Sequence, residues 1–361
     1  MRMRLERRTL GLVSVSSVLL GLSPLVWALS LSSTLPHMDR VVLVKVGGSS
    51  ITIKDTRETI NEAQVQWVAQ TLAETISPVF KAVAHDEETC HHNNNDNPSV
   101  AVVLIHGAGS FGHHHAKQYG LSGKNEPFDV SSSTTTTATT TTTNTATETA
   151  SVNTIHREEM EGLAKTRLSV QTLNRLLVQA LVDVGVNAVG LSPCFATPSL
   201  RADGTAPAAA QELRQVVADT LRAGLVPVLH GDACLHSPST AGILSGDTLF
   251  RMLGPFCDYG VFWTDVDGVY TADPKVDPEA TLVASLGVAA NDNHTVAIDA
   301  SGSLHPQDVT GGFVTKLAAA IAVALGGTNV TIARCGSSSA KRALRDGGAS
   351  VDEGSTLIFQ K

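Results

Sequence analysis

The chain has 361 residues, with 26 Lys plus Arg against 34 Asp plus Glu, a net charge of −8 with neutral histidine. Hydrophobic residues make up 42 % and charged residues 17 %, enough apolar chain to bury a sizeable core in one large or two modest domains. The acidic balance and the 4 % aromatic content argue against a nucleic-acid binder, which needs a basic footprint and stacking surfaces.

Residues 1–37 read differently from the rest. Arg2, Arg4, Arg7 and Arg8 precede an apolar, Ser-rich run from Leu10 to Leu31. A positive start before an apolar stretch suggests a secretory signal or an organelle transit peptide. Pro24 and the serines make it a weak spanning helix, so membrane contact is expected only through this segment. Met38 directly precedes the first core strand, so an extension ahead of the true start is the other reading. Either way the fold is expected in 38–361, in a cytoplasmic or organellar location.

From Val41 the chain alternates β-rich and helical stretches. Val41–Val46 and Val100–Ile105 are continuous apolar runs, as expected of strands buried on both faces. Val186–Leu191, Leu225–Leu229, Tyr259–Trp263 and Val330–Ala333 are further strands, and Leu357–Phe359 is read as closing an edge. Helical spacing runs through Glu62–Ile76, Ile155–Val184, Gln211–Ala223 and Val314–Leu325. This alternation predicts an α/β fold with a mainly parallel sheet and its loops' chemistry at the strands' carboxyl ends. Residues 85–97, 129–150 and 291–306 are polar or Ser/Thr-rich and are expected to be exposed loop insertions. The cysteines, Cys90, Cys194, Cys234, Cys257 and Cys335, lie far apart without a Cys-x-x-Cys pair, so neither a disulfide framework nor a zinc site is expected. His91 and His92 have no spaced second pair, and no metal-ligating side chain is assigned.

Six motifs sit where strands meet helices. Lys45-Val46-Gly47-Gly48-Ser49 ends the first strand, with Lys54 within loop reach. Glycines let backbone N–H groups approach a phosphate, and lysine adds a point charge, although a plain tight turn has the same look. His106 to His113 (HGAGSFGH) places a histidine beside a second glycine loop. His114 and His115 are expected in a solvated loop. Leu229-His230-Gly231-Asp232 ends a strand, and Ser245-Gly246-Asp247 opens a helix, which puts Asp247 near a positive helix end. Thr264-Asp265-Val266-Asp267-Gly268 follows another strand. Gly311-Gly312 opens a helix carrying Lys316, a natural phosphate site.

In this order the motifs resemble those of the amino-acid kinase superfamily, and most nearly its isopentenyl phosphate kinases. The resemblance spans about Val41–Ile358, and its specific part is KVGGSSITIK joined with HGAGSFGHHHAKQYGL. It implies a three-layer αβα sandwich, usually a homodimer, that uses ATP and Mg²⁺ to convert isopentenyl phosphate to isopentenyl diphosphate. It implies that Lys45, Gly47, Gly48 and Ser49 hold the ATP phosphates, that Lys54 stabilises the transferring group, and that Ala108, His113 and Gly231 hold the acceptor phosphate. Gly109, Asp265, Gly312 and Lys316 match ATP contacts, and Asp247 a position that orients the lysines. Ala108 departs from the triple-glycine form of the loop but keeps its N–H. A phosphate acceptor needs no general base, since its second pKa near ~6 makes much of it a dianion at neutral pH. It needs positioning and charge compensation. Other acceptors on the same fold (UMP, an acyl-amino acid, carbamate) and a non-catalytic nucleotide-binding regulator are the alternatives.

Overall fold

The computed structural model describes residues 38–81, 100–121, 145–196, 200–202, 207–237, 240–274, 277–290, 296–300, 311–346 and 354–361. The 1–37 segment, the 85–97 stretch and residues 129–144 lie outside them, as do Cys90, His91 and His92.

The core of the fold is a nine-stranded sheet in the order β3-β4-β2-β1-β7-β10-β11-β8-β9. β1 (Arg40–Val46) and β2 (Val100–His106) are apolar almost throughout and buried on both faces. They pair in parallel, with β4 (Val226–His230) beyond β2 and β3 (Ala188–Leu191) beyond β4. On the other side of β1 lie β7 (Tyr259–Thr264) and β10 (Asn329–Arg334), also parallel. β11 (Ser355–Gln360), β8 (Ser285–Ala290) and β9 (Val296–Ala300) complete the sheet, with antiparallel pairing only at β10–β11 and β8–β9 among the described residues.

One helical layer holds α2 (Glu62–Thr75), α4 (Thr145–Asp183) and α9 (Ser338–Asp346); the other holds α6 (Pro207–Arg222), α7 (Gly246–Leu253) and α8 (Gly311–Leu325). The result is a three-layer αβα sandwich. Aromatic contacts pin the first layer: Trp67 of α2 meets Trp263 of β7 edge-on at 5.1 Å, and the Trp263 indole N–H donates to Ala340 O of α9 at 3.1 Å. α1 (Gly48–Ile51), α3 (Gly109–Gln118) and α5 (Pro193–Ala196) are shorter, and a hairpin of β5 (Asp232–Ser237) and β6 (Thr240–Leu244) packs on α4.

Four expectations need correction. Leu357–Phe359 lies inside the sheet between β10 and β8, because the chain returns antiparallel to cover β10. Residues 296–300, expected as loop, form β9; the alternation of Val296 and Ile298 with smaller residues is a short period-2 pattern paired to β8. Residues 145–150 belong to α4, which starts ten residues before Ile155 as a continuation of the same helix. His114 and His115 lie on α3 rather than in a loop.

β11 also fastens the segment after β7. The buried Thr356 hydroxyl accepts from Val269 N at 2.8 Å and donates to Val283 O at 2.7 Å. Thr356→Val keeps the shape and leaves both backbone groups without that partner. It should cost about 1–3 kcal/mol, read as a lower urea midpoint with an unchanged m-value.

Candidate active site

The carboxyl ends of β1, β2, β4 and β7 lie side by side, and chain order reverses around β1, the place where open parallel sheets bind ligands. A cavity of about 670 Å³ opens there. Lys45, Gly47, Gly48, Ser49, Ala108, Gly109, His113, Gly231, Asp247 and Lys316 all line it.

The cavity floor is made of two glycine loops in direct backbone contact. A Cβ on Gly48 would fall 2.2 Å from Gly109 N, and one on Gly107 2.7 Å from Gly48 N. Gly109 has φ +54°, and a Cβ there would fall 2.4 Å from Thr52 Oγ1. The ladder extends past the strand ends to hold these loops: Gly47 N donates to Trp263 O at 2.7 Å, Gly107 N to Val46 O at 3.0 Å, and Gly231 N to His106 O at 3.0 Å. α3 opens at Gly109, so its positive dipole end faces the cavity wall.

Charge is arranged across the cavity. The buried Lys45 places Nζ 2.7 Å from Asp247 Oδ1, with the Phe262 ring centroid 5.4 Å away. Asp247 lies in the first turn of α7, where the dipole favours a carboxylate, and Ser245 caps that helix by accepting from Thr248 N at 3.0 Å. Thr315 of α8 donates to Asp247 Oδ2 at 3.2 Å, so one carboxylate joins the β1 lysine to the helix that carries Lys316. Burial, and then the Lys45 charge, pull the Lys316 pKa down. Burial, then Lys316 and Lys45, do the same to His113, which reaches solvent through the cavity mouth. Two ammonium groups and an imidazole thus face one carboxylate. A negatively charged group entering here would favour the charged forms of Lys316 and His113.

Behind the floor two buried imidazoles brace the loops. Asn174 Nδ2 donates to His106 Nε2 at 3.1 Å, so the proton is on Nδ1, which donates to Gly107 O at 3.0 Å. His230 Nδ1 donates to Gly231 O at 3.1 Å, and the two rings are 5.8 Å apart. Beyond Gly231, the buried Asp232 accepts from Arg167 of α4 at 2.6 Å and from Ser192 at 3.0 Å.

Two residues expected at the site, Lys54 and Asp265, are not among those lining the cavity. Lys54 and Asp265 form a 2.9 Å ion pair at the surface, their side chains 60 % and 38 % exposed. Burial opposes ionisation of Asp265, but the Lys54 hydrogen bond and charge, with smaller backbone and Thr264 hydrogen bonds, together hold the carboxyl below its ordinary value. Both charges nonetheless act on Lys316, which puts the pair at the cavity's margin. Arg334 holds the same segment through Asp267 at 2.7 and 2.9 Å. Gly312 lies in the first turn of α8.

The structure also adds residues that sequence reasoning missed. Thr166 and Val170 of α4, Ala116 of α3 and Ile243 of β6 form a largely apolar stretch of wall. The four-residue spacing of Thr166 and Val170 on a long helix is a legible signal of a shared face. Nothing local marks Ile243, whose place depends on the hairpin. Thr248, Arg251 and Thr315 complete the α7–α8 side.

A profile of the amino acid kinase family matches residues 40–334. The chain belongs to the amino acid kinase family. An isopentenyl phosphate kinase of Arabidopsis thaliana is 31 % identical over 334 residues, covering 84 % of this chain and 89 % of the relative. One from Methanothermobacter thermautotrophicus is 28 % identical over 282 residues, covering 77 % and 84 %. An X-ray structure of an isopentenyl phosphate kinase superposes with a TM-score of 0.59 at 23 % identity, covering 88 % of this chain and 100 % of that one, a likeness of fold.

Two predictions arise here. Gly48→Ala sets a methyl against the Gly109 backbone, which has no flexible end to yield, and should abolish nucleotide binding and lower the thermal midpoint; calorimetry with a nucleotide titration checks both. Burial first, then the His230 charge, push the His106 pKa down to about 3 from 6.5. A depressed folded-state pKa stabilises the fold above pH 6.5 and loses that contribution as pH falls from 6.5 toward 3. The urea midpoint should therefore drop between about pH 6.5 and 5, and His106→Gln should flatten that slope.

Proposed function

We infer that this chain transfers the γ-phosphoryl group of ATP to isopentenyl phosphate in a direct in-line displacement. An acceptor phosphate oxygen forms the new P–O bond, the β–γ bridging P–O bond breaks, and ADP leaves with that electron pair. The observation that carries this reading is His113, which faces the cavity beside two ammonium groups where the wall passes into Ala116, Val170 and Ile243. An anion-recognising end joined to an apolar end fits the phosphate monoester of a short apolar alcohol. Relatives 31 % and 28 % identical to this chain carry the name isopentenyl phosphate kinase.

In this reading Lys45, Gly47, Gly48 and Ser49 hold the ATP phosphates, with Gly109, Asp265, Gly312 and Lys316 completing the nucleotide contacts. Ala108, His113 and Gly231 hold the acceptor phosphate. Lys54 compensates the charge of the group in transit, released from Asp265 as the phosphates arrive. Asp247 aims Lys45 and, through Thr315, the start of α8. No base is required, because the acceptor oxygen is already ionised. Catalysis rests on bringing two anions into line and offsetting their repulsion.

Among the described residues no three potential metal ligands cluster together, so there is no dedicated cation cage. That donor set fits a Mg²⁺ carried in on ATP, which takes most of its ligands from phosphates and water, with Asp247 and Asp265 the nearby carboxylates. Such an ion neutralises phosphate charge when bound. A homodimer goes with the family resemblance. No helix among the described residues is long and apolar enough to cross a membrane.

The test uses purified protein with ATP and Mg²⁺, following ADP release with isopentenyl phosphate, dimethylallyl phosphate, UMP and N-acetylglutamate in parallel. Turnover is expected only with the isoprenoid monophosphates. Turnover confined to UMP or N-acetylglutamate refutes the acceptor assignment. ATP binding without any turnover refutes the enzymatic reading. His113→Ala should lower kcat/KM for isopentenyl phosphate by ~10²-fold while leaving nucleotide affinity intact. Lys54→Ala should lower kcat by a similar factor, ~10²-fold, with little change in KM for ATP.

A further inference from the structure

The loop that carries Lys54 is unusually well tied for a surface turn. It spans Thr52–Ile60, closed by the Thr52–Ile60 bridge and by Ile53 N donating to Thr59 O at 2.9 Å. Four residues beyond Lys54 is Glu58, the one non-glycine residue at positive φ among those described, at +50°. An L side chain in that region costs about 1–2 kcal/mol relative to its ordinary backbone conformations, which a glycine would avoid.

What that conformation secures is visible in the contacts. Glu58 N donates to Ser110 O at 3.3 Å, in the first turn of α3. The Glu58 carboxylate accepts from the buried Ser169 hydroxyl of α4 at 2.6 Å, and the same hydroxyl lies against Phe111 O of α3. His115 Nε2 is 3.6 Å from that carboxylate and accepts from Arg57 at 2.6 Å. Ser110 supplies two more ties, its N–H donating to Thr52 Oγ1 at 3.1 Å and its hydroxyl to Thr59 O at 3.4 Å. Among the described residues Lys54 itself is paired with the exposed Asp265. The turn is therefore fixed at its base to the helix that presents His113, one turn after Ser110.

We propose that Glu58 is a positioning residue for phosphoryl transfer: its carboxylate accepts from Ser169 of α4, which packs on α3, and with the Glu58 N–H bonded to Ser110 O it sets the Lys54 loop relative to His113. Lys54 and His113 address the two ends of the reaction, the group in transit and its acceptor. Their relative placement is set by this contact together with the Ser110 ties to Thr52 and Thr59, in addition to the sheet. The inference rests on the roles proposed above for those two residues. A misplacement of ~1 Å in such an arrangement can cost as much as 10²-fold in rate.

The informative variant is Glu58→Gly, which removes that carboxylate and also relieves the backbone at +50°. A merely structural role predicts a protein at least as heat-stable with unchanged kinetics. The proposal predicts an unchanged or raised thermal midpoint together with a kcat lowered ~10-fold or more, and KM for ATP and for isopentenyl phosphate each within ~2-fold of wild type. Trypsin cleavage after Lys54 or Arg57 should accelerate, a readout independent of the reaction. Glu58→Gln keeps an oxygen for Ser169 and should restore both kcat and protease resistance. Wild-type turnover and the loss in Lys54→Ala, measured alongside, test the underlying reading separately. If those two behave as expected and Glu58→Gly keeps the wild-type kcat, the positioning role is wrong even where proteolysis quickens. If Lys54→Ala leaves kcat unchanged, the proposal falls with the role of Lys54.

Discussion

Two backbones touch at the centre of this molecule, and the rest of the site is arranged around that contact. Where β1 and β2 end, Gly47-Gly48 and Gly107-Ala108-Gly109 lie so close that no side chain fits between them. The approach is enforced from below by parallel pairing that continues past the strand ends and by the His106 imidazole donating to Gly107 O. It brings the start of α1, the start of α3 and the Lys45 side chain to one small surface. Polar backbone and positive helix ends gathered there make an anion site before any cation is counted.

The cations then set what kind of anion chemistry is possible. Lys45 is buried and paired to Asp247, Lys316 is partly buried and feels that carboxylate's charge, and Lys54 stands at the margin with Asp265. These differ in how much water must be displaced and how far each side chain must move. The buried Lys45–Asp247 pair is pre-organised and turns with α7 and α8. The exposed Lys54–Asp265 pair can exchange its partner for phosphate at little electrostatic cost, since exposed ion pairs are weak. A fixed inner charge and a transferable outer one suit a reaction in which one phosphoryl group moves between two others.

The motifs at strand-to-helix joints were legible as soon as the alternation of strand and helix was read, because a doubly wound sheet puts all such joints on one edge. That is why Lys45, Gly48, His113, Gly231, Asp247 and Lys316 meet although they span most of the chain. Glu58 carries no such mark: it lies in a surface turn, and its partners Ser169 and His115 come from two other elements. Ile243 is equally silent, since a short hairpin supplies it. Leu357–Phe359 looked like an edge because it comes last in the chain, but position in sequence says nothing about position in a sheet once the chain crosses over.

The sequence by itself determined the α/β class and the buried strands, and it picked out most of the glycines, lysines and the histidine that line the cavity. Those depend on local patterns: apolar runs, glycines after strands, and charges at helix starts. Only the tertiary structure decided which charges are paired, that Lys54 and Asp265 face each other at the surface, that α4 and a hairpin supply the apolar wall, and that one glutamate ties the lysine loop to the histidine helix. The reason is physical. Burial, ion pairing and wall shape depend on distances between residues far apart in the chain, and these exist only once the sheet has brought its loops together.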